Sequence, residues 1–147
     1  KCIEINLYGS VYVAKYVTPY LVKNQPINDK GERGVLIFVS SLAGEEGQRG
    51  QLAYSASKGA INGMMMPMAR DLGKYGIRTA AIAPAIFMTP LVEAMNENVK
   101  KRLFQDTPLG RGGDPKEFAH FAGAIIENSY INGVVFRLDG ATKMSHI

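Results

Sequence analysis

The chain has 147 residues, 46% of them hydrophobic and 20% charged, a balance that suits one globular domain and excludes a disordered chain. Its net charge of +4 comes from 17 basic and 13 acidic residues spread without a dense Lys/Arg run, so nucleic acid is not directly indicated as a partner. One cysteine, Cys2, leaves no intramolecular disulfide and favours a reducing compartment, and no apolar run approaches the ~18 residues of a membrane-spanning helix.

The first residue is Lys1 and the chain opens directly in an apolar segment without the layout of a signal peptide. The expectation is therefore that residues 1–147 form the C-terminal portion of a single domain whose N-terminal part lies upstream. Residues 3–23 place Ile3, Leu7, Val11, Ala14, Val17 and Leu21 at helical intervals, with further apolar residues on other faces. That pattern predicts a helix buried on several sides, kinked or ended early by Pro19. Residues 24–34, NQPINDKGERG, read as a polar surface loop. VLIFV at 35–39 is a continuous apolar run, as expected of a strand covered on both faces. Ser41 stands at its end, and Gly44, Gly47 and Gly50 are expected to let the next segment run close to a ligand. Glu45 and Glu46 read as solvated loop charges.

A helix is predicted over 51–73, with Ala56, Gly59, Ala60 and Gly63 allowing close packing and Pro67 expected to bend it. The methionines of MMMPM suit core filling better than metal or haem ligation. Residues 77–83 give a second buried strand, stopped by Pro84. Ligands of open α/β sheets bind beyond the carboxyl ends of the strands, so the loop APAIFMTP lies where a cofactor would pass. Leu91, Val92, Met95, Val99 and Leu103 suggest one amphipathic helix. Asp114, Pro115 and Glu117 then supply an N-cap, a first-turn proline and an acid at the third position of a helix running to about residue 128. His120, among Phe118, Ala119, Phe121 and Ala122, suits a core or interface better than a ligand, and with His146 and Cys2 as the other candidates no metal site is expected. Asn132 and Gly133 turn the chain into a third strand, VVFRL. Strands alternating with helices imply an α/β fold of right-handed parallel units, the second half of a Rossmann-type doubly wound sheet.

The chemistry concentrates in SLAGEEGQRGQLAYSASK, residues 41–58. Tyr54 and Lys58 are four apart, so on a helix they share one face. A phenol titrates near ~10, and a neighbouring ammonium stabilises the phenolate, making the tyrosine a usable general acid and base. Ser41 is placed to hold the same substrate oxygen. A Tyr and a Lys at this spacing are, on their own, ordinary helix residues. The order strand, serine, glycine-rich loop and YSASKGA is the composite signal.

Together with EGQ, ARDL, GIR, IAP, TPL, AIIEN, NG and RLDGA in that order, these motifs resemble the short-chain dehydrogenase/reductase family over nearly the whole chain. The resemblance is strongest to its mitochondrial 3-hydroxyacyl-CoA dehydrogenase type 2 branch. It implies hydride transfer between NAD and a secondary alcohol or ketone. Tyr54 would exchange the proton, Ser41 would bind substrate oxygen, and Lys58 would bias Tyr54 and hold the nicotinamide ribose. Asn6 would order a water that relays protons to the lysine; its alternative is a local helix hydrogen bond. Pro84, Phe87 and Thr89 would join Tyr54 and Lys58 in contacting the cofactor, the alternatives for the last two being a core phenylalanine and a capping threonine. Relatives read Pro-Gly where this chain has Pro84 and Ala85, a change that costs about 1 kcal/mol if the backbone there needs positive φ.

The resemblance further implies an acyl-CoA or another small alcohol or ketone as substrate, and a homodimer or homotetramer in which the 3–23 helix packs across an interface. It also implies a mitochondrial or else cytoplasmic location without membrane insertion, and a mobile substrate cover over 91–103. It places a glycine-rich phosphate turn and an acidic ribose contact upstream, and DGA resembles the family's closing sequence, a natural C-terminus. Two alternatives stand beside it. One is a 3-oxoacyl carrier-protein reductase with the same site; the other is a structural subunit, as in mitochondrial transfer-RNA processing, with a vestigial or secondary active site.

Overall fold

A computed structural model describes residues 1–144; His146 lies outside the described residues. Three parallel strands, β1 (Gly34–Val39), β2 (Ile77–Pro84) and β3 (Val134–Leu138), form one sheet in the order β1-β2-β3. Five α-helices accompany them: α1 (Gly9–Lys23), α2 (Leu52–Gly73), α3 (Pro90–Glu93), α4 (Glu97–Phe104) and α5 (Pro115–Glu127).

The central strand explains the layering. Successive side chains of a strand point to opposite faces, and IRTAAIAP is small or aliphatic along both. Ala81 faces Phe38, Ile61, Met65 and Ala14, so α1 and α2 cover that side. Ala80 and Ile82 face Ile125, with Phe118, Phe121 and Phe136 around them, so α5 covers the other. Burying Ile82 and Ile125 completely contributes roughly 1.5–3 kcal/mol each. Asp114 and Glu117 start α5 with a reciprocal capping box, and Pro115 occupies its first turn, as the sequence predicts.

Several expectations need correction. The first helix is not buried on several sides within this chain: only Ala14 of α1 is buried, while Tyr12, Val13, Tyr16 and Tyr20 are exposed. Helical periodicity reports which residues share a face, not whether a neighbour covers it. Pro19 does not end α1 early; α2 runs over Leu52–Gly73 with Pro67 inside it, the span the sequence predicts. Strand β1 lies at the edge of the sheet, its residues mostly half-buried and Val39 exposed, instead of fully covered. Pro84 belongs to β2 and pairs with Leu138.

The helix expected over 91–103 is two. Asn96 breaks it, accepting from Asn98 N and capping α4 as a new start, and Leu91 and Val99 of the supposed apolar stripe are exposed. His120 is exposed on α5, not in the core. Met65 is buried and Met64 and Met68 pack at the core margin, but Met66 is half exposed, so the methionine run fills core on one side only. Ala85 has no positive φ; among the described non-glycine residues only Ala141 does, at 63°. The condition under which alanine would strain the backbone is therefore not met there.

Candidate active site

Parallel pairing puts the carboxyl ends of β1, β2 and β3 on one side of the sheet, and a cleft of about 320 Å³ opens there. Ser41, one residue beyond the buried Ser40, contributes to its wall; its Oγ accepts from Ala43 N at 3.1 Å and so caps a short 3-10 turn, Leu42–Gly44. Tyr54 reaches the same cleft from the first turn of α2. Pro84 and Ala85 line it from the end of β2, with Arg102 and Leu103 of α4 and Asp106 opposite. Thr142, Lys143 and Met144 close it.

Lys58 stands one turn along α2 from Tyr54. Its Nζ lies 5.7 Å from the centroid of the Tyr54 ring and donates to Val39 O at 2.8 Å. That second contact ties the ammonium to the end of β1 and fixes it behind the tyrosine. Burial holds the lysine below its ordinary pKa, because desolvation disfavours the charged form.

Asn6 lies in a π-helical stretch, Glu4–Tyr8, that leads into α1; such irregular turns free or re-aim backbone and side-chain groups. Its Nδ2 donates to Ser57 Oγ at 3.2 Å and, weakly, to Cys2 Sγ at 3.5 Å. Ser57, completely buried, donates in turn to Tyr54 O at 2.6 Å. Asn6 is thus joined to the helix turn carrying Tyr54 and Lys58 through Ser57 Oγ, and no direct hydrogen bond from it to Lys58 occurs among the described residues. The structure therefore brings Ser41, Tyr54, Lys58, Asn6 and Pro84 into one region. Phe87 and Thr89 do not line that cleft. Phe87 packs edge-on against Phe118, 5.7 Å between ring centroids, and fills the space a side chain at Gly113 would need. Thr89 is exposed and leads into α3 without making a side-chain cap.

Two residues that position the site carry no motif of their own. Ser40 is buried, and its Oγ donates towards Lys58 O (3.1 Å) and Asn62 Oδ1 (2.6 Å), stitching the end of β1 to α2. Gly44 acts not as a flexible ligand-facing loop residue but as the crossing point of loop and helix. A Cβ there would stand 2.9 Å from Lys58 C and 3.0 Å from Gly59 N, both backbone atoms that cannot swing aside. In the intact protein, Gly44→Ala is expected to cost ~1–3 kcal/mol through overpacking and to lower turnover with it, since Ser41 and Lys58 flank the clash. Denaturant titration alongside steady-state rates checks this; unchanged stability and rate would mean that the crossing has slack.

The sequence also misjudged Glu46. It is no free loop charge: Arg137 and Lys143 pair with it and Met144 N donates to it, which together hold its carboxyl at about 2. Among the described residues no group of three or more His, Cys, Asp and Glu is arranged to hold a metal ion, and no helix is long and apolar enough to cross a membrane.

The family model described as short chain dehydrogenase matches residues 1–100. The Bos taurus protein named 3-hydroxyacyl-CoA dehydrogenase type-2 is 48% identical over 145 residues, which cover 98% of this chain and 55% of that protein. A 3-oxoacyl-[acyl-carrier-protein] reductase of Thermotoga maritima is 35% identical, over 94% of this chain and 54% of the reductase. Among solved structures, a 3-hydroxyacyl-CoA dehydrogenase type-2 from Mycobacterium avium superposes with a TM-score of 0.93 at 40% identity, covering 99% of this chain and 56% of the other. The chain thus spans about half the length of the curated relatives it matches, and its parallel α/β architecture is of their Rossmann type.

Proposed function

The chain belongs to the short-chain dehydrogenase family, and on that premise we propose that the protein carrying it is an oxidoreductase that exchanges hydride between NAD and a secondary alcohol or ketone, with 3-hydroxyacyl-CoA as the substrate class. The observation that carries this reading is the shared cleft: Ser41 and Tyr54 line one cavity at the carboxyl ends of the strands, with Lys58 Nζ over the tyrosine ring. The residues present fit the nicotinamide end of a cofactor. Lys58 has three donors and spends one on Val39 O, leaving two for ribose hydroxyls. Pro84 and Ala85 line the cleft, as does Gln51, whose Oε1 is buried and without a partner among the described residues.

In this reading a bound nicotinamide supplies or accepts the hydride. Ser41 Oγ donates to the substrate oxygen and orients it. Tyr54 gives its proton to that oxygen in reduction and takes it back in oxidation. Lys58 favours the phenolate electrostatically, and the Asn6–Ser57 contact holds the helix turn in register. The cleft walls of Leu42, Ala43, Ile86 and Leu103 exclude water from the reacting carbon. The choice of an acyl-CoA leans on the relatives named for that dehydrogenase; NAD, a mitochondrial location and a homodimer or homotetramer follow from the motif resemblance. Exposed Tyr12, Tyr16 and Tyr20 on α1 suit burial by a second subunit.

The test is a substrate panel on the intact protein: 3-hydroxybutyryl-CoA with NAD, against a 3-oxoacyl carrier protein with NADPH. Turnover of the CoA thioester with NAD is expected to dominate. Preference for the carrier protein would move the assignment to the reductase class, and turnover of neither, in a protein that folds and assembles with partners, would favour a structural subunit.

A further inference from the structure

The last described residues form one wall of the cleft, yet they belong to no helix or strand. Thr142, Lys143 and Met144 line it together with Ser41 and Tyr54. Thr142 N and Oγ1 donate to Asp139 O in the turn after β3, and Lys143 and Met144 beyond it are both bound by one carboxylate. Glu46 Oε1 accepts from Arg137 Nη1 at 2.7 Å and from Lys143 Nζ at 3.0 Å, and Glu46 Oε2 accepts from Met144 N at 3.0 Å. Arg137 completes the clamp by donating from Nη2 to Thr142 O at 3.2 Å while its Nε binds Asp139 Oδ2 at 2.7 Å. On the far side Lys143 N donates to Asp106 O, and the hydroxyls of Thr107 and Thr142 are hydrogen bonded at 2.8 Å. The segment is thereby pinned between the loop that joins Ser41 to Tyr54 and the chain leaving α4.

We propose that Glu46 is a positioning residue for the substrate cleft: it fixes residues 142–144 as the wall facing Ser41 and Tyr54 and, through Asp106 and Thr107, sets the distance of α4 from the catalytic hydroxyls. A single exposed ion pair is worth little. Here one carboxylate meets two cations and a backbone N–H from a segment more than ninety residues away in sequence, and charge-assisted bonds sharing a centre support one another. Its neighbour Glu45 provides the contrast. Among the described residues its side chain pairs with Arg137 alone, at 3.3 Å, and makes no hydrogen bond to 142–144. Glu46 does not touch the cleft itself, so its loss should loosen substrate binding and leave the proton-transfer groups in place. The inference rests on the cleft of the proposed function being the substrate site.

The experiment compares Glu46→Gln, Glu46→Asp and Glu45→Gln with the parent in the intact protein. Amide hydrogen exchange of Lys143 and Met144 is followed beside that of β2, and steady-state kinetics are measured with 3-hydroxybutyryl-CoA and NAD. With Glu46→Gln, exchange at Lys143 and Met144 should rise about tenfold or more while β2 stays protected. KM for the thioester should rise about tenfold, with kcat within about threefold, because ground-state and transition-state binding are lost together. Glu46→Asp keeps the charge and should recover part of both, and Glu45→Gln should match the parent. Unchanged exchange at 143 and 144 would overturn the clamp. So would equal effects from Glu45→Gln, or a fall in kcat accompanied by exposure of β2, which would make Glu46 a general stability residue. If the parent turns over no thioester, the proposed function fails on its own account, and exchange alone decides whether Glu46 holds the segment.

Discussion

Replacing Tyr54 with Phe in the intact protein is expected to lower turnover by about 10²-fold or more, the usual worth of a positioned general acid–base group, while fold and cofactor binding persist. Only one hydroxyl is lost. Tyr54 is more than a third exposed and contributes no buried packing that Phe would fail to supply. The contact of Lys58 Nζ with Val39 O does not involve the phenol, so the lysine keeps its place. Its position over the aromatic face also survives the change. Stopped-flow reduction of NAD and a cofactor titration on the same preparation check this. Near-normal turnover with unchanged NAD affinity would make Tyr54 a packing residue and remove the basis of the proposed chemistry.

What could be read from sequence was whatever depended on near neighbours. Tyr54 and Lys58 share a helix face because four residues make one turn, and Ser41 follows the end of a strand because an apolar run stops there. The capping box at Asp114 and Glu117 is likewise local, and it formed as the spacing implies. The parallel alternation of strand and helix followed from the apolar periods, and the sheet bears it out.

What escaped was set by residues far apart. Glu46 looked solvated because its partners, Arg137, Lys143 and Met144, lie more than ninety positions on. Gly44 was read as letting its segment approach a ligand because the helix backbone it crosses cannot be inferred from its own loop. The stripe over 91–103 looked like one helix because apolar spacing does not register a cap, and Asn96 is a good one. Phe87 was carried to the cofactor by resemblance, and its ring packing against Phe118 and Gly113 could not be read from the loop either.

The same blindness hid the ion pair on which the largest stability effect is expected. Glu32 sits in a segment that reads as polar surface loop, and Arg78 in a strand that reads as apolar core, yet both are more than nine-tenths buried and pair at 2.6 Å. Arg78 also donates to the carbonyls of Ile125, Ile126 and Ile131. It therefore ties β2 and the loop before β1 to the C-terminal end of α5, where helix carbonyls lack partners of their own. Arg78→Met in the intact protein removes every one of these donors and strands the Glu32 carboxylate away from water. The expected loss is about 3–5 kcal/mol, the cost of breaking a buried pair from one side, read as a lower denaturant midpoint at unchanged slope. The double variant Arg78→Met with Glu32→Gln should recover part of that loss, since the buried charge has gone too, but not all of it, since the three carbonyls remain unpaired. A cost below about 1 kcal/mol for Arg78→Met would show that water reaches Glu32 and those carbonyls freely, and that the junction is held by apolar packing alone.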